Sequence, residues 1–225
     1  MAKKLTKKEI EKIKDKLAKD NRSVKRRNEQ FAKLSPSEKR VQIARDVIAQ
    51  LASKKLIATA GVWLTGTDGD NLFDEKDVER NPELQEILSK QESCEGCALG
   101  GMFMCAVERH DKLKLTDLEV VKDYKQAVKD IGDDANLDSG EASEDDATHY
   151  LKKFFSEAQL NDIEAAFERG GGAKSGSNSA QNFADEVDDD GERMRLIMEN
   201  IIVNKGKFVP SKPPVQTWTT PGFLG

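Results

Sequence analysis

Four times in this chain a serine or threonine stands three residues ahead of a glutamate or glutamine and just before an apolar-periodic run: Thr6–Glu9, Ser35–Glu38, Thr116–Glu119 and Ser156–Gln159. In such a capping box the hydroxyl accepts the N3 backbone N–H, and the N3 side chain returns to the N-cap N–H. Both bonds satisfy donors that a helix leaves orphaned at its start, so each box commits the chain to a helix. Ser35 is reinforced by Pro36, which occupies the first helical position where a missing N–H costs nothing. That helix is expected to run to about Ser53, with Val41, Ala44, Val47, Ile48 and Leu51 inward at helical spacing. The Thr116 helix places Leu118, Val121, Val128 and Ile131 inward and stops at Gly132. The Ser156 helix carries Phe155 and Leu160 at the two positions of a hydrophobic staple, turns Leu160, Ile163 and Phe167 inward, and ends at Gly170.

Weaker signals fill the rest. Asn81-Pro82 begins a short helix with Leu84, Ile87 and Leu88 inward. Cys97–Arg109 is the most apolar stretch and reads as a buried helix. Ala147–Phe155 is helical, and Glu192–Val203 has Met194, Ile197, Met198, Ile201 and Ile202 on one broad face. Leu56–Leu64 loses the helical period and is β-prone, ended by a turn at Gly66–Asn71. The fold class that follows is mainly α, a compact helical domain with at most a short strand or hairpin near 56–65. Residues 36–209 form the core domain. Within it, an acidic loop at 133–146 and a Gly/Ser linker at 170–182 are expected to be flexible.

The ends differ from the middle. Residues 1–40 hold 15 Lys/Arg against 6 Asp/Glu, while the whole chain carries −5. Residues 1–35 therefore read as a basic helical arm, with a thin apolar stripe at Leu5, Ile10, Ile13 and Leu17. Its Lys3, Lys4, Lys7, Lys8, Lys25, Arg26 and Arg27 are candidate phosphate contacts. With Phe31 as its one aromatic, it lacks the stacking platform of single-strand binders. Residues 210–225 form an extended Pro-rich tail in which Trp218 and Phe223 are candidate partner anchors. No apolar run approaches the roughly 18 residues a membrane helix needs, and Met1-Ala2-Lys3-Lys4-Leu5 leads into charge instead of an apolar signal region. A cytoplasmic location is expected, and three clustered cysteines agree, since an odd number makes no disulfide framework.

Cys94, Cys97, Cys105 and His110 are the candidate metal ligands. The C-x-x-C pair can clamp one ion, but zinc wants four ligands near 2.0–2.3 Å. Eight helical residues between Cys97 and Cys105 rise about 12 Å, and His110 lies about 140° around the helix from Cys105. A redox reading fits the helix N-terminus but lacks a strand–helix–strand setting, and Glu95 opposes a thiolate. Packing explains more: Gly96, Ala98, Gly100 and Gly101 let backbones approach closely, and free cysteine behaves as a small buried hydrophobe. No metal and no cofactor is therefore expected. The Asp134-Asn136-Asp138 spacing departs from a calcium loop, because Gly140 falls one residue late and Asp145 stands where a bidentate Glu is usual. The Glu186–Gly191 run departs further, since its twelfth position is Ile197.

Ser93-Cys94-Glu95-Gly96-Cys97-Ala98-Leu99-Gly100-Gly101 resembles a C-x-x-C-A-x-G-A stretch of uncharacterised bacteriophage and bacterial proteins, with Gly101 in place of the final alanine. Arg45–Leu51, Phe155–Leu160, Ile163–Glu168 and Arg195–Ile202 fit the same likeness, which spans roughly residues 40–210. It implies a phage origin and carries no activity. The chain has two histidines, His110 and His149, and no Gly-x-Ser-x-Gly, phosphate-loop or dinucleotide signature. The expectation is a non-enzymatic accessory protein that binds a protein partner through its terminal extensions. The alternatives are a nucleic-acid-associated protein using the basic arm, and an enzyme or small zinc protein whose site converges only in space.

Overall fold

The computed structural model describes residues 24–66, 69–110, 113–132, 135, 137, 142–168, 176–183 and 185–211. Lys3, Lys4, Lys7, Lys8, the Thr6–Glu9 box, Trp218 and Phe223 lie outside the described residues, as does most of the calcium-like spacing. The fold is mainly α with one small sheet. In chain order it runs α1 (Val24–Ala32), α2 (Pro36–Ser53), β1 (Leu56–Ala58), β2 (Leu64–Thr65), α3 (Glu75–Arg80), α4 (Leu84–Lys90), β3 (Cys94–Gly96) and α5 (Ala98–His110). After the 3-10 turn Leu115–Asp117 come α6 (Glu119–Ile131), α7 (Glu144–Leu151), α8 (Glu157–Glu168), α9 (Asn178–Gln181) and α10 (Asp190–Val203).

Helix α5 is the hub. Every residue from Ala98 to Val107 is buried, so this stretch of the helix has no solvent face. It packs against α1, α2, α4, α7, α8 and all three strands. Helices α2 and α10 form the closest helix pair. Arg40 near the start of α2 donates from Nε to the Gly206 carbonyl just past the end of α10 (2.6 Å), so the two run antiparallel. Gly206 (φ +87°) has no room for a side chain, because a Cβ there would meet the Ser37 carbonyl at 2.5 Å. Asn200 then locks the exit of the chain. Its Nδ2–H reaches the Val209 carbonyl (3.1 Å) and its Oδ1 accepts the Val209 N–H (2.8 Å).

The Ser35–Glu38 box forms as the pattern predicts. The Ser156–Gln159 box forms in part, with the Gln159 N–H to Ser156 Oγ at 3.4 Å, and the staple residues Phe155 and Leu160 are both buried.

Several expectations need correcting. There is no hairpin over 56–65: β3 lies between β1 and β2, parallel to the first and antiparallel to the second. Ahead of residue 36, α1 packs on α5, and Phe31 is buried edge-on against Phe154 at 5.8 Å. The end of the acidic loop is ordered, because Ser143 and Asp146 form a capping box that starts α7. Half the glycine–serine linker is ordered too. Ser177 caps α9, its N–H reaches Asp162 Oδ1 (2.8 Å), and Gly176 lies so close to α8 that a Cβ would stand 2.0 Å from that of Ala165. Thr116 caps nothing. The 3-10 turn intervenes, and the Glu119 N–H that opens α6 is taken by Asp146 Oδ1 from α7. One buried carboxylate thus receives the first N–H of α6 and closes the capping box of α7. Val128 is half-buried and Ile131 is 62% exposed, so α6 buries Val121 fully, packs Val120 and Tyr124 partly against the core, and exposes its C-terminal end.

Candidate functional site

The C-x-x-C segment is a strand-to-helix corner. Cys94 opens β3, Cys97 sits between β3 and α5, and Cys105 lies two turns into α5. None of the three forms a disulfide, and all are buried. Cys97 Sγ accepts the Gly100 N–H at 3.4 Å, the place an N-cap hydroxyl takes in other helices. Across the corner lies the β1–β2 connection: the Cys97 N–H donates to the Val62 carbonyl, and the Trp63 carbonyl rests on Gly96 and Gly100. A Cβ on Gly100 would fall 1.5 Å from the Trp63 oxygen, and one on Gly101 2.7 Å from Leu56 Cδ2. Close backbone approach is therefore what these glycines serve.

Burial pushes the Cys94 thiol up to about 12, with Glu108 adding to it. Burial raises Cys97 to about 12 against the lowering bond from Gly100. Glu108, and not Glu95 as the sequence suggests, is the neighbouring carboxylate that acts on Cys94. β3 supplies a strand before α5, but among the described residues no strand follows that helix, and protonated thiols are poor nucleophiles and poor metal ligands. Among the described residues no group of three or more His, Cys, Asp or Glu could hold a metal ion. His110 ends α5 by its backbone, and its side chain is outside the described set.

Two other polar sites were not expected. In the first, Asp190 Oδ2 accepts the Ala60 N–H and Glu168 Oε2 accepts the Gly61 N–H, both at 2.9 Å. The fully buried Arg193 pairs with Asp190, donates to the Val187 carbonyl and lies 5.3 Å over the Phe167 ring. Together they clasp the β1–β2 connection to α8 and α10. Asp189 and Asp190, at the end of the calcium-like Glu186–Gly191 run, are thus a helix cap and an ion-pair partner. The second is a surface hollow with Glu119, Asp123, Asp145, His149 and Lys152. Its charges are offset by Lys122 on Glu119 and by Lys152, which also reaches Glu157.

Larger than that hollow, which holds about 410 Å³, is a groove of about 670 Å³. Its walls are the C-terminal half of α2 (Ile48, Leu51, Ala52) and the N-terminal half of α10 (Gly191, Glu192, Arg195), and β1 lies between them. Ile48 and Leu51, which the helical period assigns to the core, line this groove half-buried. β1 is an edge strand. Its pairing with β3 uses the main chain of Lys55, Ile57 and Thr59, as the Cys94 N–H to Lys55 and Thr59 N–H to Gly96 bonds show. The N–H and C=O groups of Leu56 and Ala58 therefore point to the open edge. Neither N–H donates within the described residues. Ile57 is 42% exposed beside them.

At the basic arm's junction with the fold, Arg26 is exposed and Arg27 half-buried on α1. No described helix is long and apolar enough to cross a membrane. No family model, curated protein or solved structure matches the chain.

Proposed function

We propose that this chain is a protein-interaction module, without catalysis of its own, that takes an extended segment of a protein partner along the free edge of β1. The observation that carries this is the pair of outward-facing main-chain groups on Leu56 and Ala58 in a groove whose α2 wall is apolar and whose α10 wall is charged. An incoming strand would bond to both residues and set alternate side chains against Ile48, Leu51 and Ala52, the mode by which open sheet edges bind peptides. The surface differs from the terminal extensions that composition favours. An accessory role in a bacteriophage, in the host cytoplasm, rests on the likeness of the core segments.

The test uses the full chain with a photo-crosslinking residue at Ala52, which is exposed on the groove wall. Ala58→Pro deletes an edge donor that β3 does not use, so the sheet keeps its ladder. Crosslinking to a protein partner that disappears with Ala58→Pro, in a variant that still folds, supports the reading. Equal yields with and without the substitution overturn it.

A second reading has its own observation. The basic residues precede α1 in sequence, and Phe31 anchors that helix in the core. Such an arm is suited to nucleic-acid phosphates. Binding must then fall steeply with salt, and disappear when Lys3, Lys4, Lys7 and Lys8 become glutamates.

A further inference from the structure

We propose that the partner segment accepted by the β1 edge carries opposite charges at its two ends: an acidic side chain beside Lys54, a basic one beside Asp189 and Glu192, and apolar side chains between. The proposal rests on the reading of the groove as a strand-docking surface and adds what the docked strand must carry.

The groove is charged in opposite senses at the two ends of β1. Lys54 lines it where α2 gives way to the strand, and Lys55 is exposed beside it. The backbone fixes Lys54 in place. It is the left-handed C-cap of α2 (φ 59°), and its N–H returns to the Gln50 and Leu51 carbonyls. Its ammonium makes no ion pair among the described residues.

The other end lies by Ala58. Two residues further on, the Ala60 N–H is held by Asp190, which brings the first turn of α10 to this end of the strand. Asp189 and Glu192 line the groove there. Asp189 Oδ1 accepts the Glu192 N–H at 2.7 Å and makes no ion pair among the described residues. Arg195 is shared between Glu192 and Glu199, so those three groups keep one negative charge between them. Asp190 is cancelled by Arg193. The start of α10 adds about half a positive charge from its aligned peptides, too little to offset Asp189 and the Arg195 trio.

Between the ends the surface is apolar. Leu56 packs on Gly101, where Met194 of α10 also arrives, so the Leu56 and Ala58 side of β1 looks towards the helices. Side chains of an incoming strand that stand opposite these two residues turn the same way and meet Ile48 and Leu51. From Lys54 to Ala60 the chain spans at most about 20 Å, a length that six extended residues match. Exposed ion pairs add little affinity, but a like charge at either end is repelled, so the charged ends select among strands that the edge alone would accept equally.

The probes are blocked hexapeptides with valine and threonine alternating between their end residues: arginine first and glutamate last, the reverse order, and arginine at both ends. Each is offered at low salt to the full chain carrying the photo-crosslinking residue at Ala52. The expected result is that the better of the two mixed-charge peptides is captured about fivefold more than the arginine-ended one. Lys54→Asp, whose new side chain tolerates left-handed backbone, reverses that order. Asp189→Asn keeps an acceptor for the Glu192 N–H and lowers capture of every peptide about threefold. Equal yields for the three peptides, or an order that Lys54→Asp leaves unchanged, overturn the proposal. So does the absence of any peptide crosslink in a chain whose capture of a protein is still abolished by Ala58→Pro; the docking surface then stands and charge is not what it reads. If the charge preference appears but Ala58→Pro leaves peptide capture unchanged, the charged ends are read and the strand-docking reading falls.

Discussion

The carbonyl oxygen of Trp63 lies 1.5 Å from where a Cβ on Gly100 would be, so the β1–β2 connection rests directly on the first turn of α5. This one approach joins the sheet to the helix at the centre of the fold, and it leaves β1 facing outward on the far side of β3.

Gly100→Ala therefore forces backbone against backbone. A loss of about 3 kcal/mol or failure to fold is expected in denaturant titration. Gly101→Ala meets a side-chain methyl of the buried Leu56, at 2.7 Å, instead of backbone, and should cost less, about 1 kcal/mol. Equal costs would show that the Trp63 approach is not what the glycine serves.

The Cys97 thiol acts as a helix cap and stays protonated. Cys97→Ser keeps an acceptor for the Gly100 N–H and should cost less than Cys97→Val, which removes the cap for about 1 kcal/mol. Native Cys94 and Cys97 should resist a thiol reagent near neutral pH, since both are raised to about 12. Rapid native-state modification of either at pH 7 would contradict this account and return attention to redox chemistry.

Asp146 holds the starts of α6 and α7 together. It accepts from Ser143 N–H (3.2 Å) and Oγ–H (2.8 Å) with one oxygen and from Glu119 N–H with the other. Asp146→Ala leaves the Ser143 Oγ bond to the residue-146 N–H but removes the return bonds to Ser143 and the acceptor of the Glu119 N–H, and is expected to cost about 3 kcal/mol in a denaturation experiment. Asp145→Ala, on the exposed side of the same turn, should be nearly neutral.

Glu168 gives a pH signature. Burial, reinforced by Asp190, raises its pKa above 4.5, against the Gly61 bond and the Arg193 charge. The native state then takes up this proton before the unfolded chain does. Its contribution to stability therefore increases as pH falls from the raised value to about 4.5, and a penalty remains above it. Glu168→Gln keeps an acceptor for Gly61 and removes the titration. The variant should be at least as stable as the parent at pH 7 and lose ground to it as pH falls towards 4.5. Parallel stability profiles for the two proteins would contradict the raised pKa.

Much of the helical frame was legible, because caps and apolar periods are local signals. Ser35–Glu38 announces α2, and Phe155 and Leu160 mark the entry to α8. What escaped depends on distant partners. Thr116 looks like a cap, but the Glu119 N–H is taken by Asp146, 27 residues away. β3 is three residues long, and nothing local in Cys94-Glu95-Gly96 distinguishes a strand from a helix approach. The groove escaped for a related reason. The period that puts Ile48 and Leu51 on the inner side of α2 does not say that α10 and β1 stop short of covering them. The Ala60–Asp190 and Gly61–Glu168 clasp joins segments more than 100 residues apart, and no spacing rule reaches that far.

The central claim is that the open edge of β1 is the binding surface, and partner capture by four forms of the full chain tests it most directly. The forms are the parent, Ala58→Pro, Ala52→Glu on the groove wall, and a Lys3, Lys4, Lys7 and Lys8 to glutamate variant of the arm, each after nuclease treatment. The account predicts that one protein, crosslinking at Ala52 in the parent, is lost from the two groove variants and kept by the arm variant. Capture that survives Ala58→Pro and Ala52→Glu but fails with the altered arm or with nuclease would contradict it.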